Sequence, residues 1–115
     1  MTDTVKRKRR SDRNHVIYMI KNTVTDQLYI GITVLSYRGN AQRTVDRRVQ
    51  KHVQRAFAEN KTWALCESFR KYEPETHEYW VHDVVRGKAE AHRVETSLID
   101  TLNPQLNTFK KGVKA

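Results

Sequence analysis

Two runs, Val16-Ile17-Tyr18-Met19-Ile20 and Leu28-Tyr29-Ile30-Gly31-Ile32-Thr33, decide the fold. Both are rich in β-branched and aromatic side chains, which suit a pleated and packed strand, and polar Thr25-Asp26-Gln27 lies between them. The pair predicts a β-hairpin. If its loop holds an even number of residues, directly opposed positions differ by an odd number, so Tyr18 and Tyr29 project from the same face. Ile17, Met19, Leu28, Ile30 and Ile32 then share the other face, expected to be the apolar one.

Downstream of the hairpin the hydrophobic period changes. Residues 41–59 place Val45, Val49, Val53, Ala56 and Phe57 at helical spacing. Arg48 and His52 stand one turn apart on a flank of that helix, followed by Arg55. Thr62 is expected to cap a second helix that runs to Tyr72, buries Leu65, Cys66 and Phe69, and stops before Pro74. His77 to Val85 alternates as a third strand, with Tyr79, Val81, Asp83 and Val85 on one side and Gly87 closing it. Residues 88–102 read as a last helix with Ala91, Val94, Leu98, Ile99 and Leu102 inward, ending at Asn103-Pro104. The class is α+β, in the order β-β-α-α-β-α.

The chain has 115 residues, enough for one core and one domain. Its 22 Lys and Arg against 13 Asp and Glu give a formal charge of +9, a field suited to a polyanion. Nucleic acid is the expected partner. No run approaches the ~18 apolar residues of a membrane span, and the basic start leads into polar Ser11, Asp12 and Asn14 rather than a signal-peptide core. Cys66 is the single cysteine, read as core filler in a reducing cytoplasm. Residues 1–14, with Lys6, Arg7, Lys8, Arg9 and Arg10, read as a flexible basic arm for phosphate, 15–109 as the folded domain, and 110–115 as a basic tail.

One residue of the last helix is out of place. Glu95 lies between Ala91 and Leu98 on the packing side, where an ionised carboxylate is desolvated unless a positive group meets it. The partner is either an arginine or a divalent cation such as Mg²⁺, which takes one or two carboxylates and completes its shell with water and phosphate. The other histidines, His15, His77, His82 and His92, form no zinc spacing.

Val16-Ile17-Tyr18 followed by Tyr29-Ile30-Gly31 resembles the paired tripeptides of the GIY-YIG nuclease family. Arg48-Val49-Gln50-Lys51-His52 is similar to the family's helix motif, and Glu95 and Asn107 resemble its metal-binding glutamate and the asparagine beyond the last helix. Together these motifs span residues 16–107. The resemblance implies a three-stranded antiparallel sheet, the hairpin plus the third strand, flanked by helices in a stand-alone catalytic domain. It implies a metal-dependent endonuclease, with Mg²⁺ or Mn²⁺ on Glu95 and catalytic roles for Tyr18, Tyr29, Arg48, His52, Glu95 and Asn107. Cleavage of nucleic acid, DNA in preference to RNA, to 5′-phosphate and 3′-hydroxyl ends is expected, in the cytoplasm or, for a phage-encoded enzyme, in the host cytoplasm. Val16 replaces the first glycine, Ile32 stands where some members have lysine, and the connection from Gly31 to Arg48 is longer. Losing the lysine shifts activation of the nucleophile towards His52. Arg38 and Arg43 in that connection, Arg55, the arm, the tail or a homodimer would supply binding. The alternatives are a non-catalytic nucleic-acid-binding protein on the same fold and a ribosome-associated structural protein.

Overall fold

A computed structural model of the chain describes residues 13–59 and 62–107. The hairpin forms as the sequence predicts, with β1 (Asn14–Asn22) antiparallel to β2 (Leu28–Val34) and Lys21 opposite Leu28. The intervening loop is closed by Asn22, whose Oδ1 accepts from the backbone N–H of Val24 (2.8 Å) and Thr25 (3.2 Å). An asparagine suits this turn because its side chain imitates a backbone carbonyl.

Helix α1 (Ala41–Ala58) is capped by Asn40, whose side chain accepts from Arg43 N–H at 2.9 Å. Helix α2 (Ala64–Tyr72) follows, then a short 3₁₀ turn (Pro74–Thr76), β3 (His77–Arg86) and α3 (Lys88–Leu102). The strand order is β2-β1-β3, all antiparallel, which makes β1 central. The α+β class and the β-β-α-α-β-α order therefore stand as expected.

Helices α1 and α2 cover one face of the sheet, where Val16, Tyr18 and Ile20 pack with Val45, Val49, Leu65, Cys66 and Phe69. Helix α3 covers the other, with Val94, Leu98 and Ile99 against Ile17, Met19 and Ile30. Both faces are thus apolar, which corrects the expectation of a single apolar face and explains the unbroken burial of β1 from His15 to Ile20.

Other expectations are corrected as well. A β-bulge between Ile17 and Tyr18 in the β1–β3 pairing shifts the register, so Tyr79 and Val81 join the α1 side while Val85 packs on the α3 side. An inserted residue reverses which face later side chains occupy. Phe57 (57% exposed) and Leu102 (45%) lie at the surface instead of in the core, and Trp63 (40%) and Trp80 (37%) are exposed as well. Helix α2 begins after Trp63 without a side-chain cap, so Thr62 does not play that part.

Two polar features fix the frame. Asn22 Nδ2 donates to Ser68 Oγ (2.9 Å), which is paired with His77 Nε2 (2.7 Å), joining the hairpin, α2 and β3 through a buried network. Beyond α3 the chain runs along the free edge of β2. Leu106 N–H donates to Leu28 C=O (2.9 Å), Ile30 N–H donates to Asn107 Oδ1 (2.9 Å), and Asn107 Nδ2 donates to Ile30 C=O (2.8 Å). These bonds satisfy backbone groups that an edge strand otherwise leaves open.

Candidate active site

Tyr18 sits in the middle of the central strand, fully buried, with its ring lying across the residue opposite, Gly31. A Cβ at Gly31 would fall 2.7 Å from Tyr18 Cε1 and closer still to Cζ and Oη. Only glycine leaves this space, so the third residue of Tyr29-Ile30-Gly31 exists to seat Tyr18. Tyr29 opposes Ile20 on the same face, as the parity of the loop requires, and its ring centroid lies 6.1 Å from that of Tyr18.

Helix α1 brings His52 onto these rings. Its Nε2 is 2.9 Å from Tyr18 Oη, and the imidazole and the Tyr29 ring pack edge-to-face with centroids 5.4 Å apart. The imidazole is 4% exposed, and its pKa is lowered to about 4 by burial first, then by the Arg48 and Arg55 charges. His52 is therefore neutral at physiological pH. Burial likewise raises both tyrosine hydroxyls, a rise that Arg48 opposes and Glu95 reinforces, so both are protonated at rest.

Arg48 lies one turn before His52, half-buried, and its Nε is enclosed with no hydrogen-bond acceptor among the described residues. An unpaired buried donor costs roughly 1–3 kcal/mol, and one on a charged group costs more, so the position calls for an anion. Arg48 also lines an open cleft of about 330 Å³ between the end of β2 and the outer side of α1, beside Arg47, Lys51, Thr33 and Tyr37.

From α3, Glu95 turns inward with a side chain 16% exposed, and desolvation raises its pKa against the opposing effect of His92, 3.3 Å away. The partner is thus a half-exposed histidine rather than an arginine. Tyr18, Tyr29, Arg48, His52 and Glu95 consequently form one electrostatically linked group drawn from four elements, β1, β2, α1 and α3.

A family model of the GIY-YIG catalytic domain matches residues 14–110. The chain belongs to the GIY-YIG family. No curated protein and no solved structure gives a significant match. GIY-YIG domains are nuclease domains that generally depend on a divalent metal ion, so nuclease chemistry on nucleic acid is the activity class of this fold.

Its residues fit a sparse cation site. Among the described residues no three His, Cys, Asp or Glu side chains converge, but Glu95 offers a desolvated hard-oxygen ligand, as suits Mg²⁺ or Mn²⁺ completed by water and phosphate. Asn107 has both ends of its amide engaged by the Ile30 peptide, next in sequence to Tyr29 of this GIY-YIG cluster. Arg43 lies over the Tyr37 ring at 5.2 Å and Arg55 over Trp63 at 5.8 Å, while Arg38 is exposed on the preceding turn. Lys6, Arg7, Lys8, Arg9 and Arg10, and the tail at 110–115, lie outside the described residues. Sequence reasoning passed over Arg47 and Lys51, although Arg43, Arg47 and Lys51 recur at every fourth position and so share one helix face.

Proposed function

We propose that this GIY-YIG domain is a metal-dependent endonuclease that hydrolyses phosphodiester bonds of nucleic acid, DNA in preference to RNA, leaving 5′-phosphate and 3′-hydroxyl ends. The observation that carries this reading is a neutral, buried His52 held 2.9 Å from the Tyr18 hydroxyl, beside an Arg48 Nε that lacks an acceptor.

Arg48 would take two non-bridging oxygens of the scissile phosphate and stabilise the charge that grows on them. Tyr18 would donate its proton to His52 Nε2, and its oxygen, which Arg48 and Tyr29 approach at rest, would accept from a water in the cutting complex. As that water attacks phosphorus, Tyr18 takes a proton from it and passes its own to His52. With a pKa of about 4 the resting imidazole is a poor base. Burial is the larger cause of that depression and Arg48 a smaller one, and a phosphate seated on Arg48 offsets the Arg48 part, so His52 gains some basicity when substrate is bound. Ile32 leaves no lysine to share this work. Tyr29 positions the water, and Asn107 holds the strand that carries Tyr29. Glu95 would hold Mg²⁺ or Mn²⁺, which would supply Lewis-acid stabilisation of the charge on the leaving group. The P–O3′ bond breaks as the bond from water forms, the departing 3′-oxygen takes a proton from solvent to become the hydroxyl, and His52 returns its proton to solvent.

Nicking of supercoiled plasmid tests the reading. The protein should nick with Mg²⁺ or Mn²⁺ and not with EDTA, and an RNA of equal length should be cut more slowly. Glu95→Gln removes a desolvated charge, so it should unfold at the same temperature or higher while losing roughly 100-fold or more in rate. Equal cleavage by Glu95→Gln would refute the site assignment.

A further inference from the structure

The connection between β2 and α1 contains a turn of the wrong chemistry. Gly39 N–H donates to Ser36 C=O at 3.2 Å, and the two central residues, Tyr37 (φ 54) and Arg38 (φ 57), both have positive φ. This type I′ arrangement ordinarily takes Asn-Gly, because bulky side chains are strained at positive φ. The turn is nevertheless held firmly. Ser36 N–H donates to Thr44 Oγ1 (3.0 Å), Thr44 Oγ1 lies 3.1 Å from Ser36 C=O, and Asn40 N–H donates to Tyr37 C=O (3.1 Å). The result is an aromatic ring, 42% exposed, braced by Arg43 and fixed on the wall of the cleft that contains Arg48, Arg47 and Lys51.

We propose that Tyr37 is a stacking platform for the base next to the scissile phosphate, and that the enzyme therefore takes strands whose base is unpaired there, single-stranded DNA above duplex. The proposal rests on the nuclease reading of the Arg48 cleft. A ring beside a row of cations is the arrangement that holds an unstacked nucleotide, with the cations on the backbone and the ring on the base. A paired base is already stacked within its duplex and offers the ring no face.

The test is fluorescence anisotropy of labelled single-stranded and duplex oligodeoxynucleotides with the Glu95→Gln protein, which separates binding from cutting. Tyr37→Asn is the informative variant, because asparagine accepts positive φ and removes only the ring. Tyr37→Asn should hold or raise the unfolding temperature and weaken single-strand binding by about 10-fold, while duplex binding changes less than about 2-fold. Tyr37→Trp should bind as the parent does. An abasic site at the contacted position should erase the difference between parent and Tyr37→Asn. Unchanged single-strand affinity in Tyr37→Asn, or equal loss on both substrates, would overturn the proposal even if the parent chain nicks plasmid. Failure of the parent chain to cut either plasmid or single-stranded DNA, with the Tyr37 effect intact, would count against the nuclease reading alone.

Discussion

In the unfolded chain His52 takes up a proton near pH 6.5, whereas in the native protein burial, Arg48 and Arg55 delay this to about pH 4. Between those values the unfolded state binds more protons. The stability that neutral His52 contributes is therefore complete above about pH 6.5 and is lost as pH falls towards 4. His77, also depressed by burial, acts in the same direction, while Glu95, raised by burial, acts in the opposite one. Thermal unfolding followed by circular dichroism should fall in midpoint from pH 7 to pH 4.5. In His52→Gln the decline should be shallower, by up to ~3 kcal/mol of pH-dependent stability. Parallel profiles for the two proteins would mean that His52 is not held neutral. The same sign applies to activity, since a protonated His52 cannot accept from Tyr18.

Pairing of β1 with β2 sets Gly31 under the Tyr18 ring, so the strands and the hydroxyl share one constraint. Gly31→Ala should cost ~1–3 kcal/mol by overpacking and, by displacing the ring from His52, reduce cleavage far more than the stability loss alone accounts for. Denaturant titration beside a cleavage assay checks this, and a Gly31→Ala protein with parental rate would contradict it. Much at this scale was legible beforehand. The β-branched runs marked the hairpin, the period of Val45, Val49 and Ala56 marked α1, and loop parity put both tyrosines on one face. The β3 bulge was not, because an extra residue leaves the alternation of Tyr79, Val81 and Val85 intact in sequence and acts only through pairing. Nor was the burial of His52, since a histidine between Arg48 and Arg55 reads as a solvated flank until the tyrosines of the facing sheet are placed on it. Asn107 read as a site residue, and its bonds to Ile30 required knowledge of where the chain passes the open edge of β2.

Across the whole molecule a formal charge of +9 meets a built cleft, and no described helix is long and apolar enough to cross a membrane. Arg43, Arg47 and Lys51 on one face of α1 would follow a nucleic-acid backbone away from Arg48. Duplex affinity should drop at least about 10-fold between 50 and 200 mM salt, and replacing those three residues with alanine should flatten the log–log slope by about 2–3. An unchanged slope would place the backbone elsewhere. The central claim is that Tyr18, His52, Arg48 and Glu95 form one cutting centre, and the single-turnover cleavage rate of Tyr18→Phe with Mg²⁺ tests it most directly. The substitution keeps the buried ring and removes only the oxygen that meets His52. A folded Tyr18→Phe protein slowed roughly 100-fold or more is the expected result, and cleavage at the parental rate would contradict the account.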